Sequence, residues 1–158
     1  MTGKFAAGFI VISALIAGIA IYYLQVYAFY REVAFTPGQE ITLTPIESGQ
    51  PEPILAENIT GIDADSSPLR FRACFTTPLT QGMLSETYRA YDGAEPLIAP
   101  SWFDCFDAVE IGTALERGEA LAFLSQENIH TDVDRVVAVF PDGRAFAWTQ
   151  LNPAAKDK

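Results

Sequence analysis

Residues 134–150 read DRVVAVFPDGRAFAWTQ. Two apolar runs, Arg135 to Phe140 and Arg144 to Gln150, flank Pro141, Asp142 and Gly143. That is the turn chemistry of a β-hairpin, and it sets the domain on an antiparallel sheet. Both faces of the hairpin are apolar, because Val137 and Val139 alternate with Val136, Ala138 and Phe140. One face is expected to pack the core while the other meets helices or a partner.

Working upstream, Ala120 to Leu124 reads as another strand. It follows a helix that Asp107 and Glu110 can cap reciprocally, with Ala108, Ile111 and Leu115 on one face and Gly118 at its end. The segment Glu95 to Asp104, with Pro96, Pro100, Trp102 and Phe103, reads as an ordered loop packed by its aromatics. An exposed docking patch of Trp102, Phe103 and Phe106 is the rival reading. Thr80 can cap a short helix through about Asp92, with Leu84, Tyr88 and Tyr91 on one face and Gly93 as its stop. Before it, Leu69, Phe71, Ala73 and Phe75 alternate with Arg70, Arg72, Cys74 and Thr76, the pattern of a half-buried strand. Ile59 to Ile62 and Glu40 to Ile46 supply two more strands, the latter with Ile41 and Leu43 on one face, and Ser48 to Pro53 reads as a polar loop between them. The expectation is an α+β domain with an antiparallel sheet of about five strands and two short helices.

The N-terminus differs in kind. From Phe5 to Tyr30 there are 26 residues without a formal charge, about 39 Å of helix at 1.5 Å per residue, enough to cross a hydrocarbon core. Tyr22, Tyr23, Tyr27, Phe29 and Tyr30 crowd its end, where amphipathic rings prefer the headgroup layer. A cleaved signal peptide is the alternative, since Gly18 and Ala20 offer small residues at a suitable spacing. Cleavage there would leave Ile21, Tyr22, Tyr23 and Leu24 on the mature terminus. Lys4 stands before the span, whereas Arg31 is offset by Glu32 after it, so the N-terminus is expected to stay in the cytoplasm. The resulting division is 1–4 cytoplasmic tail, 5–30 transmembrane helix, 31–39 juxtamembrane linker, 40–152 extracytoplasmic domain and 153–158 polar tail. Ser13, Ala14, Ala17 and Gly18 place small residues four apart, a ridge against which another helix can pack closely in lipid; small residues are also common in spans that have no partner.

Residues 32–158 carry 20 acids against 8 bases. A polyanionic surface of this kind repels nucleic acid and anionic lipid heads, and its plainest use is solubility. No glycine-rich phosphate loop is present, so a nucleotide site is not supported. No cofactor-binding motif and no catalytic set emerges, since His130 is the only histidine and no Ser stands in a nucleophile elbow. The expected partners are the lipid bilayer and a membrane protein.

Three constellations remain. Cys74 and Cys105 are the only cysteines, and in an oxidising compartment a disulfide is the first reading, with free buried thiols or a redox or metal pair as alternatives. His130, Asp132 and Asp134 alternate, so an extended chain sets all three on one side as weak ligands for a divalent cation. A polar loop before the hairpin is the rival reading. Arg70 and Arg72 share a strand face, where they pair with local acids or contact an anionic ligand.

The runs 102–108 (WFDCFDA), 119–124 (EALAFL) and 134–148 (DRVVAVFPDGRAFAW), together with the N-terminal span, resemble a group of small single-span alphaproteobacterial proteins of unknown function. The resemblance implies a bacterial inner-membrane setting and brings no catalytic residues. Two functions fit these readings: a non-catalytic accessory or assembly component of an inner-membrane complex, or a periplasmic ligand-binding or sensing module. An enzyme of unrecognised type is a third.

Overall fold

A computed structural model of the chain describes residues 2–36 and 41–156. The chain begins with helix α1 (Thr2–Tyr23), which continues into a π-helical turn over Leu24–Ala28. Gly3–Ala28 is long and apolar enough to cross a membrane, and none of its most apolar stretch is buried by the rest of the chain. Ser13, Ala14, Ala17 and Gly18 are all exposed on it.

The domain that follows is α+β. Strands β1 (Arg31–Glu32), β4 (Glu57–Asp63), β5 (Arg72–Thr76), β6 (Leu121–His130), β7 (Val133–Val139) and β8 (Arg144–Leu151) form one antiparallel sheet in the order β1-β4-β5-β8-β7-β6. A small second sheet pairs β2 (Thr42–Leu43) with β3 (Glu52–Pro53). Helices α2 (Gln81–Thr87), α3 (Ala108–Glu116) and α4 (Pro153–Lys156) complete it.

The hairpin at 134–150 sits near the centre of the sheet, and its two apolar faces are each covered by this chain's own elements. On one side Val137, Val139, Ala145, Ala147, Ala73 and Phe75 meet Ile41 just before β2, Leu43 of β2, Ile54 just after β3 and Leu84 of α2. On the other, Val136, Ala138, Phe140, Phe146 and Trp148 meet Ile111 and Ala114 of α3 and Phe106 of the loop before it. Full burial of an aromatic or branched aliphatic side chain contributes about 1.5–3 kcal/mol, so these two layers are the main source of stability.

Several expectations are revised. β5 is buried on both faces, not one, because it lies between β4 and β8 and each side of the sheet is covered. The helix after Thr80 ends at Thr87, since Tyr88 is already extended and its neighbours join the sheet edge: Tyr91 N donates to Ala122 O and Leu124 N to Arg89 O, both at 2.9 Å. Ser48 to Pro53 contains β3 in addition to a loop. The strand expected over Glu40 to Ile46 narrows to Thr42–Leu43, with Ile41 and Leu43 buried as anticipated; Pro37, Gly38 and Glu40 lie outside the described residues. β6 runs six residues past Leu124, so the segment around His130 is a second hairpin and not a loop. Asp107 caps α3 through Val109 N and Glu110 N, but Glu110 does not complete the reciprocal cap; its carboxylate lies 2.9 Å from Arg144.

Candidate functional site

The end of a helix leaves its last carbonyls without intrahelical partners and carries the negative end of the helix dipole. At the exit of the N-terminal helix the π-helical turn closes with Phe29 N donating to Leu24 O at 3.3 Å. The next two carbonyls are taken by the domain. Arg70 Nη1 donates to Gln25 O at 2.9 Å, and the Trp102 indole Nε1 donates to Val26 O at 2.7 Å. A guanidinium at that position also complements the dipole.

Aromatic packing closes the same junction. Tyr23 stacks on Tyr27 at 6.0 Å, Tyr27 stacks on Trp102 at 6.4 Å, and Tyr30 meets Trp102 edge-on at 5.8 Å. The Arg70 guanidinium lies 5.3 Å from the centre of the Tyr30 ring. Contacts of this type are each worth about 0.5–1.5 kcal/mol beyond the area they bury. Directly after the exit, Arg31 and Glu32 pair with Asp63 and Ile62 of β4, and Val33 N donates to Gly61 O, so the chain enters the sheet at once. Gly61 leaves room there for Phe35, whose ring would lie 2.6 Å from any Cβ at that position.

The loop that carries Trp102 is held in two ways. Cys105 is bonded to Cys74 of β5, with Cα atoms 6.3 Å apart. Arg72, only 3% exposed, reaches the loop from β5: Nε donates to Leu97 O at 2.7 Å and Nη2 to Ile98 O at 3.4 Å, while Nη1 donates to Leu69 O and Phe71 O. Burial lowers its pKa to about 10, which leaves it charged at neutral pH. A cavity of about 390 Å³ opens between loop and helix exit, lined by Gln25, Tyr30, Ser67, Arg70, Ile98 and Pro100 among others.

The sequence-level candidates fare differently. Arg70 and Arg72 are brought to this junction, but not as a pair on one strand face: Arg70 precedes β5, and the Arg72 donors are directed at backbone carbonyls instead of an anion. His130, Asp132 and Asp134 do not converge. His130 is exposed and Asp132 occupies the turn with φ of 60°, while Asp134 is buried, accepting from Tyr91 Oη and Asn128 N at 2.9 Å each. Among the described residues no group of three or more His, Cys, Asp or Glu side chains could hold a metal ion. Of the three aromatics expected near 102–106, Phe106 belongs to the core, whereas Trp102 and Phe103 stay half-buried at the junction.

The polar network behind this site was not legible beforehand. Gln150 Oε1 accepts from Trp148 Nε1 at 2.9 Å and Glu95 N at 2.8 Å, fixing the start of the 95–106 loop against β8. Nothing in the local pattern of TQL marks Gln150 as buried.

Residues 41–158 match the family described as Family of unknown function (DUF6446). No curated protein and no solved structure matches the chain.

Proposed function

The chain belongs to that family of unknown function, and from this premise we propose that it is a non-catalytic accessory or assembly component of an inner-membrane protein complex. In this reading Gly3–Ala28 spans the bacterial inner membrane with the N-terminus in the cytoplasm, and the α+β domain stands on the periplasmic side. The span then offers the Ser13, Ala14, Ala17 and Gly18 ridge to a neighbouring helix, and the domain offers an acidic surface beside it.

The observation that carries the reading is the fastening of the domain to the helix exit through Trp102 and Val26, and through Arg70 and Gln25. A domain that needs only to be kept near a membrane is served by a flexible tether. One whose height and rotation are fixed relative to its own span presents a single composite surface, half in lipid and half in water. That suits a neighbour which itself crosses the membrane.

The test is affinity purification of the tagged full-length chain from detergent-solubilised membranes, followed by size measurement of what is recovered. The expected result is a membrane protein recovered in constant ratio, and less of it with Trp102→Ala, which leaves the span intact but removes the indole bond to Val26 O and loosens the domain on the helix exit. Recovery of the chain alone, as a monomer, overturns the proposal.

A further inference from the structure

Outside the N-terminal helix, the large apolar side chain with the greatest exposure among the described residues is Ile98, at 82%. Single exposed apolar residues are ordinary on soluble surfaces and need no explanation. Ile98 differs in where it stands and in how it is held. It lies in the 97–102 loop, in the wall of the cavity that Gln25, Val26 and Tyr30 close from the helix side. Trp102, four residues on, is hydrogen-bonded to Val26 O and stacked on Tyr27, and so shares a level with the last turn of the span. The loop backbone is fixed by Arg72 at Leu97 O and Ile98 O, and by the Cys74–Cys105 bond further along. A rigid loop therefore holds a bare isoleucine out beside the point at which an apolar helix meets its aromatic girdle.

We propose that the 97–102 loop is a second membrane-contact element: Ile98 inserts into the interfacial layer of the bilayer beside the span, and Trp102 joins Tyr22, Tyr23, Tyr27 and Tyr30 in one aromatic belt. Continuity with the span identifies lipid as the occupant. A helix of about 39 Å exceeds a hydrocarbon core of about 30 Å, so its final turn, and any loop bonded to that turn, falls in the headgroup region. Trp and Tyr prefer that region and aliphatic side chains enter its acyl boundary. The Arg70 guanidinium, which donates to Gln25 O with one nitrogen, faces the same layer from the cavity wall. The consequence is a domain held to the bilayer at two points, the span and the loop, so that it cannot tilt away about the helix exit.

The inference rests on the membrane-anchored reading, and the experiment separates the two. The full-length chain, with its native disulfide verified by mass, is labelled with an environment-sensitive fluorophore at one introduced cysteine, Ile98→Cys, Leu15→Cys or Val109→Cys, and reconstituted in phosphatidylcholine vesicles. Lipids carrying a nitroxide near the headgroup or near the bilayer centre serve as quenchers. Val109 is exposed on α3 and is the aqueous control. The expected result is quenching at position 98 by the shallow nitroxide, roughly two-fold or more above the Val109 position, as for a group at the interface, with Leu15 quenched by the deep one. If Leu15 is quenched and position 98 behaves like Val109, the chain is anchored and the loop is not in lipid, which overturns the inference. If Leu15 itself escapes quenching, the anchored reading fails and the inference fails with it.

Discussion

Replacing Arg72 by methionine tests whether a buried cation organises the junction. Its guanidinium makes three short bonds to carbonyls, 2.7 Å to Leu97, 2.8 Å to Leu69 and 2.6 Å to Phe71, and a longer one to Ile98. Hydrogen bonds from a charged donor contribute about 1.5–3 kcal/mol each, so the three short ones supply about 4.5–9 kcal/mol. Against this stands desolvation, which lowers the pKa to about 10 and opposes folding by roughly 3 kcal/mol. The bonds win, and R72M should lose about 1–6 kcal/mol, a large share of the roughly 5–15 kcal/mol typical of a domain. Urea denaturation of the full chain in detergent micelles, followed by tryptophan emission, measures the loss. Limited proteolysis should also cut the released 95–101 segment first. Methionine keeps the packing of the arginine stem, so the loss reports the removal of the guanidinium and of its bonds to the carbonyls. An R72M chain as stable as the parent, or more so, would mean that desolvation exceeds the bonds and would refute the reasoning, because buried charges can be replaced profitably when their geometry is poor.

Replacing both cysteines by serine opens a loop of sequence separation 31 and should cost about 3–4 kcal/mol in the chain-entropy treatment; a loss under about 1 kcal/mol in the same denaturation experiment would count against a closed bridge in the native protein. Gly61→Val places atoms where Phe35 lies, 2.6 Å from the new Cβ, and should cost about 1–3 kcal/mol while exposing residues 33–36 to protease; unchanged protection would show that Phe35 does not seal β4. Tyr91 is held neutral by burial and by its bond to Asp134, which raise its pKa above the usual 10.0. The unfolded chain therefore releases that proton first, so the stabilisation is complete below about pH 10 and is lost as pH rises beyond it. Y91F should show a shallower alkaline decline in unfolding free energy, and parallel curves for the two chains would exclude the linkage.

What could be read from the sequence follows physical lines. The 134–150 hairpin announced itself because Pro141, Asp142 and Gly143 carry turn chemistry and both flanks are apolar. Gly143 adopts φ of 88°, the left-handed region that favours glycine, and packs against Thr77 O. The far half of β6 was hidden because Gln126, Glu127 and Asn128 look like loop residues. They belong to an edge strand broken by register shifts, where polar side chains face water. Leu84, Tyr88 and Tyr91 have helical spacing and so predict a longer helix after Thr80, whereas Tyr88 is extended and its hydroxyl donates to Glu52 at 3.1 Å. As for the junction, half of its chemistry lies in the backbone oxygens of Gln25 and Val26. A carbonyl has no letter in a sequence, so the aromatic crowding at the helix end was visible while the two acceptors that fix it were not.

A helix locked at its base to a folded domain behaves as a threaded shaft. Each residue of α1 advances about 1.5 Å and turns about 100°. Because the lock is on Gln25 and Val26, adding or removing one residue between Gly18 and Gln25 swings the Ser13–Gly18 stretch about 100° around the axis relative to α3 and the sheet. The number of residues between that stretch and the lock, and not only the apolar character of the helix, then decides which way the stretch faces.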